Sequence, residues 1–110
     1  MYRIMIVDDE PLILAGIASL LNWEEYQCRI VGKASNGQQA LSLLDTLRPD
    51  IVITDIRMPQ VDGIALAKFI YEEYPQIKVI LLTGYADFQY AQSAICYAVS
   101  DFLLKPTSKD

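Results

Sequence analysis

Asp8, Asp9, Asp55, Thr83 and Lys105 are the residues best suited to chemistry, and they stand at the ends of short apolar runs. Three carboxylates drawn together repel one another and shift towards protonation unless a cation joins them. A divalent metal is the simplest remedy. With only oxygen ligands on offer and no His or Cys nearby, Mg²⁺ is favoured over zinc, and it keeps several waters in its octahedral shell. A hydrated Mg²⁺ held by carboxylates is also the usual companion of a phosphoryl group, because it bridges protein and phosphate oxygens and offsets charge during transfer. Asp55 is then placed to be the nucleophile and to become an aspartyl phosphate. Lys105 offers a point cation to a phosphoryl oxygen, and Thr83 a hydroxyl that can follow the group once it is attached. Any one of these carboxylates alone would serve as well as a helix cap or a solvated loop residue. Lys105-Pro106 alone would pass for a surface strand end. Coincidence fails for five such residues of matching type only if the fold brings them together.

The apolar runs decide that. Arg3 to Val7, Ile30 to Ala34, Ile51 to Thr54, Val79 to Leu82 and Phe102 to Leu104 are rich in Ile, Val and Leu and too short for helices, so they read as strands buried on both faces. Helical spacing falls between them: Leu14, Ile17 and Leu21; Ala40, Leu43, Leu44 and Leu47; Ile64, Ala67, Ile70 and Tyr71; Phe88, Ala91, Ala94, Ile95 and Ala98. Strands alternating with helices pair in parallel, which puts every strand's C-terminal end on one edge of the sheet. Right-handed crossovers with a reversal after the second strand predict a doubly wound five-stranded α/β sheet of order 2-1-3-4-5. The first and third strands are then neighbours, and the crevice between their ends contains Asp8, Asp9 and Asp55.

Local signals punctuate the same pattern. Pro11 after Asp8-Asp9-Glu10 suits the first turn of a helix running to about Asn22, followed by a polar and aromatic connection from Trp23 to Gln27. Asn36-Gly37 marks the second helix start, and Arg48-Pro49-Asp50 its stop. Met58 to Gly63 reads as a longer loop in which Asp62 is a candidate cap, Tyr74-Pro75 ends the third helix, and Thr83-Gly84-Tyr85 turns into a fourth.

Composition narrows the classes of function. The 110 residues make one domain, and a hydrophobic share of 53% fits a sheet covered on both sides. A net charge of −5 argues against direct nucleic-acid binding, which needs a basic face to neutralise phosphates. No apolar stretch approaches the roughly 20 residues of a membrane span, and no basic region followed by an apolar block opens the chain, so a cytoplasmic location is expected. Cys28 and Cys96 are far apart without a C-x-x-C pattern and read as small buried fillers. The absence of histidine removes Ser-His-Asp and Cys-His catalysis, histidine-ligated metals and any phosphohistidine made on this chain.

Over essentially its whole length the sequence resembles the receiver domain of two-component response regulators. The resemblance lies in I-V-D-D-E at the start, I-V-I-T-D-I-R-M-P with V-D-G following, L-L-T-G-Y, and D-F-L-L-K-P. It implies a flavodoxin-like receiver fold and a signalling switch rather than an enzyme. It further implies that Asp8, Asp9, Asp55 and the backbone carbonyl of Arg57 hold Mg²⁺, and that Asp55 accepts a phosphoryl group from the phosphohistidine of a sensor histidine kinase. Thr83 and Lys105 match the family's switch hydroxyl and lysine. Phe102 matches the aromatic that turns inward on activation; lacking a hydroxyl, it can fill space but cannot form a polar latch. Arg57 and Tyr85 match the positions that gate water access to the acyl phosphate, and their bulk implies slow hydrolysis. The G-Y-A-D-F-Q-Y-A and N-W-E-E-Y segments are similar to receivers that precede an AraC-type DNA-binding output domain with paired helix-turn-helix motifs.

The family pattern continues past Lys-Pro into a fifth helix, whereas only Thr107 to Asp110 follow here. Residues 1–110 therefore read as a receiver domain truncated at its C-terminus, with apolar surface beside the first helix that invites self-association as a homodimer. An alternative is a pseudo-receiver, an interaction module of the same fold that takes no phosphate; loss of Asp55, Lys105 or the acidic pair would have favoured it, and all are present. Flavin or nucleotide binding would want a first loop whose amides face phosphate, and Asp8-Asp9-Glu10-Pro11 offers carboxylates and a residue without an amide hydrogen.

Overall fold

The computed structural model describes residues 1–20, 22–56, 58, 61–83 and 101–104, excepting the side chains of 20, 83 and 101–104. Its elements run β1 (Tyr2–Val7), α1 (Pro11–Leu20), a 3-10 turn (Trp23–Tyr26), β2 (Cys28–Ala34), α2 (Gly37–Leu47), β3 (Ile51–Asp55), α3 (Gly63–Glu73), β4 (Lys78–Thr83) and β5 (Asp101–Leu104). The helix expected over Phe88 to Ala98 and the segment after Leu104 lie outside the described residues. All strand pairs are parallel, and the spatial order is β2-β1-β3-β4-β5, as the sequence pattern predicts.

Period-two alternation sorts the strand side chains into two layers. Met5, Val7, Val52, Val79 and Leu81 point to the face covered by α2 and α3, where they meet Leu44, Leu66, Ala67 and Ile70. Ile4, Ile6, Ile53 and Leu82 point to the opposite face, where Ile17 of α1 packs with Leu14 and Trp23 at its margin. Each fully buried Leu or Ile contributes about 1.5–3 kcal/mol through removal from water. β1, β3 and β4 are therefore apolar on both sides over most of their length, which is why they read as unbroken runs.

One expectation is refined and one corrected. The first helix is described over Pro11–Leu20, and the expected polar and aromatic connection takes the form of a 3-10 turn over Trp23–Tyr26. Trp23 ties this turn to the helix: its indole N–H donates to the carbonyls of Ala18 at 3.1 Å and Ile17 at 3.3 Å, satisfying acceptors in the last turn of α1. Cys28 is only partly buried; it lies at the margin of the α1-side core, and its thiol donates to the Tyr26 carbonyl at 3.4 Å. It begins the edge strand β2, where fewer neighbours are available to cover it.

That edge strand bears exposed Arg29 and Lys33 and a register shift that leaves Val31 unmatched between Ile30 and Gly32. Charges and a bulge of this kind discourage a further strand from adding to the sheet. No helix among the described residues is long and apolar enough to cross a membrane.

Candidate functional site

β1 delivers the acidic pair. Its ladder continues one residue past Val7, with the Asp8 N–H donating to the Ala34 carbonyl at 3.0 Å. There the chain turns, because the Asp8 carboxylate accepts from the Glu10 N–H through Oδ1 at 2.9 Å. The Glu10 carbonyl then accepts from Ile13 and Leu14 and starts α1, with Pro11 where a missing N–H costs nothing. Asp8 is buried at 0% exposure, while Asp9 and Glu10 face solvent.

β3 delivers Asp55. Val7 is in register with Thr54, so Asp8 and Asp55 each stand one residue beyond a matched pair on adjacent strands. Alternation puts both on the α1 side of the sheet. Asp55 is 4% exposed, and its Oδ1 accepts from the Ile56 N–H at 2.8 Å. The register aligns the backbone of Asp55 with that of Asp8, and Asp55 is not a member of the carboxylate cluster that Asp8 forms with Asp9 and Glu10.

The carboxylate oxygens of Asp8, Asp9 and Glu10 lie within 4.8 Å of one another. An all-oxygen set with one buried and two solvent-facing members suits a hard divalent ion that retains part of its water shell, so the residues present fit Mg²⁺. Glu10 was not assigned a ligand role from sequence. The signal for it was its adjacency to the acidic pair; the turn made by Asp8 is what returns its side chain to the cluster.

The remaining candidates are reached unevenly. Leu82 is in register with Asp55, so Thr83 stands one step farther along β4, and it pairs with Leu104, the residue before Lys105. Phe102 lies in β5 opposite Leu81, one row before Asp55. Arg57, Tyr85 and Lys105 lie outside the described residues, as do the side chains of Thr83 and Phe102.

The helix that follows Asp55 is tied to it. Asp62 caps α3 by accepting from the Ala65 N–H at 2.8 Å, and the Gly63 N–H donates to the Ile56 carbonyl at 2.7 Å. A Cβ on Gly63 would collide with the Asp55 carbonyl oxygen and come within 2.9 Å of the Asp55 carbonyl carbon and the Ile56 Cα. Only glycine allows α3 to begin this close to β3.

Comparison with known proteins gives this arrangement a context. The family model described as the response regulator receiver domain matches residues 4–110. The transcriptional regulatory protein YesN of Bacillus subtilis is 40% identical over 109 residues, covering 99% of this chain and 30% of that protein. The transcriptional regulatory protein HptR of Staphylococcus aureus is 39% identical over 106 residues, covering 96% of this chain and 41% of that protein. The chain thus spans well under half the length of these curated relatives. Among solved structures, the receiver domain of the response regulator AraT from Geobacillus stearothermophilus superposes with a TM-score of 0.91 at 40% identity, covering 96% of this chain and 82% of that one. The isolated receiver domain of RcsB from Salmonella enterica serovar Typhimurium, solved with the phosphomimetic BeF3⁻, gives a TM-score of 0.85 at 27% identity, covering 97% of this chain and 79% of that one.

Proposed function

Because the chain belongs to the response regulator receiver family, we propose that it is a phosphoacceptor switch in which Asp55 takes a phosphoryl group from the phosphohistidine of a sensor histidine kinase. The observation that carries this reading is the register that sets buried Asp8 beside buried Asp55 at the C-terminal edge of the sheet. In the transfer a carboxylate oxygen of Asp55 attacks phosphorus, and the P–N bond to the donor imidazole breaks with its electron pair returning to nitrogen. Asp8, Asp9, Asp55 and the Arg57 backbone carbonyl would hold Mg²⁺, which supplies charge compensation to the phosphoryl oxygens when bound. Asp8 and Asp9 keep the acidic pocket selective for a cation. Lys105 pairs with a phosphoryl oxygen, and the Thr83 hydroxyl donates to the group after transfer.

The new charge-assisted contacts bias a two-state equilibrium in which Thr83 and Phe102 move towards the modified Asp55. That motion alters the surface of the fourth helix and fifth strand. Residues 1–110 act as a cytoplasmic receiver unit whose output domain is a transcriptional regulator of AraC type. A homodimer formed through the altered surface couples the two. Arg57 and Tyr85, as a bulky pair over the acyl phosphate, slow its hydrolysis.

Intact-protein mass spectrometry with acetyl phosphate and Mg²⁺ tests the proposal. One phosphoryl mass is expected, dependent on Mg²⁺ and lost in Asp55→Asn. No added mass, in this chain and in a version extended through a fifth helix, would replace the switch with a phosphate-independent interaction module.

A further inference from the structure

Thr54 is a polar residue sealed in the core, at 0% exposure between Val7 and Leu81. A buried hydroxyl needs a partner, and this one donates to the carbonyl of the next residue, Asp55, at 2.9 Å. The same carbonyl oxygen is the atom against which Gly63 packs. One peptide carbonyl is therefore held from two sides.

The other side of that peptide faces the acceptor. The Asp55 C=O and the Ile56 N–H belong to a single planar unit, and the Ile56 N–H is the donor to Asp55 Oδ1 at 2.8 Å. Because the unit is rigid, tilting the carbonyl turns the N–H away from the carboxylate. The next carbonyl, of Ile56, is anchored by the Gly63 N–H at 2.7 Å, so the plane has little freedom to rotate from either end.

We propose that Thr54 and Gly63 are positioning residues that set the rotation of the Asp55 carboxylate through the planar peptide between Asp55 and Ile56. They touch neither donor nor metal; they determine which way the nucleophilic oxygen points. The proposal rests on the reading of Asp55 as phosphoryl acceptor, since positioning matters for a group that must attack along a defined line.

The test uses Thr54→Val, which removes the hydroxyl while keeping a branched side chain, Thr54→Ser, which restores it, and Gly63→Ala. Gly32→Ala is the control: its Cβ would strike only the far end of the Leu47 side chain, away from Asp55. Two readouts are taken on each folded variant, the Ile56 amide proton and nitrogen chemical shifts and the rate of Mg²⁺-dependent phosphorylation by acetyl phosphate. In Thr54→Val and Gly63→Ala the Ile56 amide should move upfield and the rate fall by about ten- to a hundredfold, the scale of a misplaced reacting group. Thr54→Ser should restore both, and Gly32→Ala should move neither. A Thr54→Val protein with the wild-type amide shift and rate overturns the proposal, as does a Thr54→Ser protein that matches Thr54→Val. If Gly63→Ala does not fold, the Thr54 pair decides alone. If wild type itself takes no phosphoryl group, the functional reading fails, while the amide shifts still decide whether Thr54 and Gly63 hold the carboxylate.

Discussion

The starts of α2 and α3 are built from nearly the same signal and serve different ends. Each has an Asx-Gly pair, Asn36-Gly37 or Asp62-Gly63, whose glycine opens a helix of 11 residues. Each cap side chain accepts from the N–H three residues on, at 2.7 Å from Gln39 and 2.8 Å from Ala65. At α2 the chain also helps itself, since the Gln39 side chain reaches back to the Ser35 N–H at 2.8 Å and its hydroxyl at 3.0 Å, a variation on the reciprocal capping box. α3 has Ala65 at the equivalent position and no such return contact from it. Its first turn is anchored to the end of β3 by the Gly63–Ile56 hydrogen bond. The glycines differ in the same way: Gly37 packs on Val61 in the loop leading to α3, whereas Gly63 packs on the backbone of Asp55. One helix start is capped by its own side chains and packs on a loop. The other is tied to the backbone of Asp55 and Ile56.

The contrast can be broken at several depths. The largest losses should come from the helix cores, where Leu44→Ala and Leu66→Ala each empty a fully buried site and cost about 3–4 kcal/mol in urea unfolding. If one costs much less, the two helices are not equally packed. Next, Gly37→Ala and Gly63→Ala should each cost about 2–3 kcal/mol, because the added Cβ meets backbone that cannot swing aside. Only Gly63→Ala should disturb the Ile56 amide; an equal disturbance from Gly37→Ala would merge the two regions into one. Smaller again are the caps, at about 1 kcal/mol for Asn36→Ala and Asp62→Ala. Asp62→Asn should fall short of Asp62→Ala, since the amide oxygen still caps and only the charge at the helix N-terminus is lost, worth about 0.3–1 kcal/mol. Denaturation midpoints of the three variants order these effects. Gly16→Ala marks the opposite limit: nothing lies within 4 Å of its added Cβ, so a helix-interior glycine becomes alanine with a gain of about 0.5–1 kcal/mol in thermal unfolding. A loss there would mean that α1 has a neighbour among the residues beyond those described.

Much of this architecture was legible because its signals are local. Both Asx caps, the stop at Arg48 and the end of α3 at Tyr74 follow from turn chemistry within a few residues, and the structure places them there. The apolar runs marked the strands to within two residues at each end, because strands flanked by helices on both faces bury apolar side chains along most of their length. The connection at Trp23 was legible, but its 3-10 form was not, because a side chain reaching back to carbonyls of the preceding helix helps to hold it. Cys28 was misjudged because residue type reports an average preference, whereas exposure depends on standing at a sheet edge.

The sequence by itself determined the order of elements, the parallel sense of the sheet and the collection of acidic residues at one edge, since period, length and crossover handedness depend on chain chemistry alone. It also contained the run of oxygen donors, Asp8-Asp9-Glu10, that gathers at that edge. Only the tertiary structure decided the register that sets Asp8 beside Asp55, the inclusion of Glu10 among the clustered carboxylates, and the grip of Thr54 and Gly63 on the Asp55 carbonyl. Those are distances between atoms far apart in the chain or turned by a local fold, and no residue type encodes a distance until the backbone has closed around it.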